Sequence, residues 1–145
     1  MGEMKLFANQ ALKAHRIFLQ EVLVEVMPIL ASGTASETRL IAGLEVYWEA
    51  CFARRDTRCA VHAATKNTPF EQVIEPMGKP FEVMVRAELL PTLGAHAAAL
   101  ATFVYDTARA ITIDEALSGE RASERRRALI EQISASAPLA ELKAA

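Results

Sequence analysis

Apolar residues recur along this chain at helical spacing rather than at the alternating positions of a strand. The clearest case is Leu40, Leu44, Tyr47, Trp48 and Cys51, which share one face of a helix, with Thr38, Glu45 and Glu49 opposite. That face holds the only tryptophan and one of the two tyrosines. An earlier helix is expected over 5–30, where Asn9, Lys13, Arg16 and Gln20 form a narrow polar stripe and nearly everything else is apolar. Such a helix is expected to stand as a central post with neighbours on more than one side. Pro28 and Ser32-Gly33 end it.

Thr34 with Glu37 forms a capping-box pattern, which starts the helix with the aromatic face and carries it to about Ala53. A charged connection follows, then a short helix over 58–65. Thr68-Pro69-Phe70-Glu71 places a threonine cap before a proline at the first helical position, so a helix is predicted to start there. Phe70, Val73, Ile74 and Met77 stripe it until Gly78-Lys79-Pro80, which predicts a break. Phe81, Met84, Val85 and Leu89 resume the period up to Pro91. Phe81, Val83 and Val85 alternate briefly, but an isolated strand would have no partner.

After a turn at Leu93-Gly94, an alanine-rich helix over 95–117 is stopped by Ser118-Gly119, and a last helix spans 121–134 before a loose tail at 137–145. Leu100, Phe103, Val104, Thr107 and Ile111 stripe the alanine-rich helix, whose small residues permit close approach of neighbours, a second copy among them. On the last helix Arg126 falls within the stripe of Ala122, Leu129, Ile130 and Ile133. Antiparallel pairing about Gly119 sets it opposite Glu115, so a Glu115–Arg126 ion pair is expected, with Asp114 as the fallback acceptor. The predicted fold is all-α: one multi-helix bundle over 1–145 whose last two helices form an antiparallel hairpin.

The 145 residues suit a single core, and 52% hydrophobic content with six glycines and six prolines excludes a disordered or fibrous chain. A net charge of −2 gives no reason to approach a polyanion, so direct nucleic-acid binding is not expected. The apolar stretch from Ile17 to Ala31 is interrupted by Gln20, Glu21 and Glu25, too short and charged to span a bilayer. Cys51 and Cys59, with no secretory leader before them, point to a reduced, cytoplasmic chain.

No hydrolase, zinc, thiol-redox, Walker or dinucleotide motif is present, and His15, His62 and His96 lack the Glu-x-x-His partners of a di-iron bundle. No catalytic residue, metal or cofactor is therefore expected. The candidates for lining a cavity are Tyr47, Trp48, Cys51, Phe70, Met77, Phe81, Met84 and Phe103, with His62 as a polar group facing a ligand. The break at Gly78-Pro80 favours a gap among them. Arg54, Arg55 and Arg58 are better anion candidates than Arg125, Arg126 and Arg127, which point in three directions around their helix.

Taken in order, Gly43-Leu44, Tyr47, Ala50-Cys51-Phe52, Arg58, Leu89-Leu90, Gly94, Glu115, Gly119 and Arg126–Leu129 resemble the C-terminal effector-binding and dimerisation domain of TetR-family transcriptional regulators. The likeness covers roughly Ala35 to Ile133, and the first helix resembles the family's long connecting helix. Such regulators carry a three-helix, helix-turn-helix head before that helix, whereas here only Met1 to Met4 precede it. The resemblance implies a homodimer through helices about 95–117 and 121–134. It also implies a cavity for a small, mostly apolar ligand and a link to transcription without any operator contact of its own, made through an intact relative. The competing expectation is a small helical enzyme or apolar-ligand carrier using the same cavity, with Tyr47, Cys51 and His62 as its polar cluster.

Overall fold

A computed structural model describes residues 2–144, which are helical throughout their ordered elements and contain no strand. Seven α-helices follow one another: α1 (Gly2–Leu30), α2 (Glu37–Ala53), α3 (Arg55–Thr65), α4 (Glu71–Ile74), α5 (Lys79–Leu93), α6 (Ala97–Ser118) and α7 (Ser123–Ala144). Short 3₁₀ turns at Glu75–Gly78 and Gly94–His96 lead into α5 and α6.

The post of the bundle is α6, which meets α2, α3, α5 and α7, rather than α1. The first helix buries one stripe, Ala8, Ala11, His15, Phe18, Val22 and Val26, against α2 and α3. Leu6, Phe7, Ile17, Val24 and Met27 on its other side are exposed. The narrow polar stripe misled because exposed apolar residues are ordinary on protein surfaces, whereas the three-four spacing of the buried set fixes the inward face.

The face of α6 turned inward also differs from expectation. Ala97, Ala101, Val104, Tyr105, Ala108, Ile111, Thr112 and Glu115 are buried, while Phe103 is 42% exposed. Alanines let the α5 and α6 backbones come close, and an inward Phe103 would hold them apart.

Local signals set most boundaries. Ser36, not Thr34, caps α2: its hydroxyl accepts from the Arg39 amide at 3.1 Å. At Thr68 the helix is delayed, because the hydroxyl is bound to the Thr65 carbonyl at 2.6 Å in a turn and α4 begins only at Glu71. Gly78-Lys79-Pro80 does not break the path but tightens it into the 3₁₀ turn, since Pro76 and Pro80 lack amide donors. Pro91 lies inside α5, which runs on to Leu93. Gly119 ends α6 at φ +77°, with its amide on the Glu115 carbonyl at 2.8 Å. The expected loose tail continues α7 to Ala144, in keeping with its alanine, leucine, glutamate and lysine content; Ala145 lies outside the described residues.

Gly78 has no room for a side chain: a Cβ there would overlap Tyr105 Oη and lie 3.2 Å from Cζ. Tyr105 is buried, so it cannot swing aside freely. Gly78→Ala is expected to lower stability by about 1–3 kcal/mol, with most of the loss recovered in a Tyr105→Phe background. Urea unfolding of the four proteins checks this; equal penalties in both backgrounds would show that the phenol is not the obstacle.

Candidate functional site

Among the described residues, three neighbouring hollows share wall residues inside the bundle. On α3, Arg58, Val61, His62 and Thr65 recur at helical spacing and form one wall of the outer hollow, of about 210 Å³. Lys66, Glu71, Ile74 and Glu75 frame it from the turn and α4, and His15 and Arg109 with Ile113 close it from α1 and α6. Lys66, Glu71 and Glu75 are exposed, so this hollow opens to solvent on their side.

His15, Arg58 and Arg109 also line a neck of about 10 Å³, bounded on its far side by Tyr47, Phe81 and Tyr105. Those three rings in turn wall an inner hollow of about 40 Å³, together with Val26, Leu44 and Met84. Tyr47 and Phe81 meet at a tilt, ring centres 5.4 Å apart. Volume and polarity therefore fall in opposite sense to a greasy chamber: the roomy end is polar and the apolar end is tight.

The neck has unusual electrostatics. Arg58 is 6% exposed; its Nη2 donates to Thr112 Oγ1 at 3.0 Å, and its guanidinium lies over the Phe18 ring at 5.3 Å. Thr112 gives its own proton to the Arg109 carbonyl at 2.6 Å, which leaves its lone pairs for Arg58. His15 is 3% exposed and stacks on the same Phe18 at 5.7 Å. His15 Nδ1 and Arg58 Nε have no hydrogen-bond partner. Such orphaned buried groups each cost about 1–3 kcal/mol.

Burial, then the charges of Arg58 and Arg109, lowers the His15 pKa to about 4, so the ring is neutral at pH 7. Burial pushes the Cys51 thiol up to about 12 and raises Tyr47 and Tyr105 above the ordinary phenol range. None of these three is poised as a nucleophile or base near neutrality.

Of the residues expected on a cavity, Tyr47, Phe81 and Met84 line the inner hollow and His62 the outer one. Trp48 and Cys51 are instead fully packed core. Trp48 donates to the Ala108 carbonyl at 3.4 Å and lies 5.5 Å beneath the Arg126 guanidinium, so α6 and α7 fill the space a ligand would need. Phe70 and Met77 are half-buried away from these hollows, because the late start of α4 and the 3₁₀ turn rotate them off the stripe. Phe103 faces outward, as described.

Comparison with protein-family models, curated proteins and solved structures yields no match. What the hollows hold must follow from their walls.

Glu115 and Arg126 sit outside the hollows. Glu115 Oε2 accepts from Arg126 Nε at 2.7 Å and from the Ala122 amide at 2.8 Å, while Oε1 accepts from Arg126 Nη2 at 2.6 Å. Asp114 is engaged by Arg125 instead. Residues that sequence reasoning missed are His15, Arg109 and Tyr105. His15 carried a signal: it occupies an apolar slot three residues before Phe18 in the buried stripe of α1.

Proposed function

We propose that this chain is a non-catalytic, small-molecule-binding and dimerisation module of the type found in TetR-family regulators, tied to transcriptional control. The observation that carries the reading is the graded series of hollows from the α3–α4 rim to the α2–α5–α6 interior. A ligand there touches α1, α3 and α6 together, so its binding can shift their relative positions. Any effect on a promoter would act through a separate DNA-reading unit, joined to this chain or carried by a relative.

The enzyme reading lacks a comparable support. An acid–base or nucleophilic site needs partners in hydrogen-bond contact. Among the described residues, His15, His62, Glu71 and Glu75 make no hydrogen bond to one another across the outer hollow.

Dimerisation is favoured by a seam on α6. Ala99, Phe103, Ala110 and Leu117 are exposed at spacings of one and two helical turns, and Ala128 is exposed on α7. In this reading α6 and α7 form an antiparallel hairpin that packs against its copy. Light scattering at about 50 µM, a concentration at which interfaces of standard size are populated, is expected to give a dimer. Phe103→Glu is expected to halve the mass with helical content unchanged. A monomeric wild-type protein would overturn the dimer.

A further inference from the structure

We propose that the outer hollow receives a small organic monocarboxylate of about benzoate size, its carboxylate on Arg58 and Arg109 and its apolar body against Val61, Ile74 and Ile113. This rests on the effector-binding reading and adds the chemical class of the effector.

The protein itself shows what the Arg58 edge is built for. Arg39 presents Nε and Nη2 to Glu88 at 2.9 and 2.6 Å, and Arg126 presents the same two atoms to Glu115 at 2.7 and 2.6 Å. This side-on fork is the bidentate geometry that carboxylates favour. Arg58 is more deeply buried than either, yet its Nε has no partner and its Nη2 only the Thr112 hydroxyl. An Nη2 carries two hydrogens, so one remains for a second acceptor. Among the described residues no carboxylate lies within ion-pair distance of Arg58 or Arg109. A ligand carboxylate at Arg58 would take the place that Glu88 and Glu115 take on the other two once the guanidinium turns its Nε edge, now closed to solvent, toward the hollow that it lines.

Size and charge narrow the class. An apolar cavity of about 150 Å³ holds benzene, so 210 Å³ accommodates a ring with a carboxylate. Lys66, Arg58 and Arg109 outnumber Glu71 and Glu75 by a single charge around this hollow, which suits a monoanion. The rim glutamates oppose phosphate or a dicarboxylate. Val61, Ile74 and Ile113 offer the body a surface that a bare inorganic anion cannot use.

Calorimetric titration of the full chain at pH 7 with benzoate, benzamide and inorganic phosphate tests the assignment. Benzoate is expected to bind and to raise the melting temperature, with benzamide and phosphate each roughly tenfold weaker or worse. Arg58→Met is expected to weaken benzoate roughly thirtyfold or more while leaving the unliganded protein as stable as before or more so, since an unpaired buried charge is removed. Arg109→Met, at a half-buried position, is expected to weaken benzoate by a smaller factor and serves if Arg58→Met does not fold. Equal binding of benzoate and benzamide, unchanged in both variants, would overturn the carboxylate assignment and leave the effector cavity standing. Phosphate binding as tight as benzoate would overturn it as well. If neither aromatic probe binds, this proposal fails, and only if a broad set of neutral and charged ring compounds also fails does the effector reading fall with it.

Discussion

Glu115→Ala is expected to remove about 3–5 kcal/mol of folding stability, a large share of the 5–15 kcal/mol typical of a domain. The carboxylate is 1% exposed and makes three hydrogen bonds, two to Arg126 and one to the Ala122 amide just before α7. Truncation leaves the Arg126 guanidinium, 13% exposed, over the Trp48 ring with only Glu49 at 3.6 Å. It also strips the amide that precedes α7 of its acceptor. The loss measures the cost of an uncompensated charge, not the worth of the pair, whose own net contribution lies near zero. Glu115→Met combined with Arg126→Leu is therefore expected to recover most of the loss. Urea unfolding midpoints, at constant m, give both numbers. A penalty below about 1 kcal/mol for Glu115→Ala would mean that Glu49 takes over as partner and that the buried pair does not fasten α7.

The same pair shows what kind of information the sequence carries. Gly119 fixes where α6 stops, and the fixed stop sets which residues face each other on either side, so Glu115 and Arg126 could be matched without any knowledge of the fold. The face of α2 was legible for a similar reason: Leu40, Leu44, Tyr47, Trp48 and Cys51 are all buried, and Thr38, Glu45 and Glu49 are all exposed. A choice between two apolar faces is a different matter. On α6 both the Phe103 side and the Tyr105 side are apolar, and only the close approach of α5, which needs small residues, selects the second. At Thr68-Pro69 the local capping chemistry is present, but the hydroxyl turns back to the Thr65 carbonyl and the helix waits for Glu71. The hollows are the least legible feature, because each is a gap among side chains from several helices rather than a property of any segment. Aromatic and methionine content pointed to Trp48, Phe70 and Met77 among others, whereas the roomy hollow is walled by histidines, arginines, rim charges and aliphatics.

Lowering the pH from 7 to 4 is expected to cost the protein about 3 kcal/mol through His15 alone, and His15→Phe is expected to abolish that part of the loss. In the unfolded chain this imidazole titrates near 6.5; in the fold its pKa is about 4. Between those values the unfolded state binds the extra proton, so stability is complete above 6.5 and declines as pH falls. The loss levels off below about 4, each pH unit of the window contributing about 1.4 kcal/mol.

The cause is the setting of the ring. Burial against Phe18 disfavours its charged form, and Arg58 from α3 and Arg109 from α6 add like charge. His62, Lys66, Glu71 and Glu75 face it across the outer hollow, and Tyr47 and Tyr105 across the neck. Phenylalanine keeps a ring on Phe18, and the neck beside it gives room. Comparing unfolding midpoints of the two proteins at pH 7, 5.5 and 4 separates His15 from the carboxylates, which titrate alike in both. Parallel curves would mean that His15 accepts a proton in the folded state and that the neck is wetter than its burial implies. A carboxylate seated on Arg58 would offset the arginine charge and draw the His15 pKa back up, so between pH 7 and 5.5, where benzoate stays ionised, saturating benzoate is expected to flatten the wild-type slope and leave that of His15→Phe unchanged.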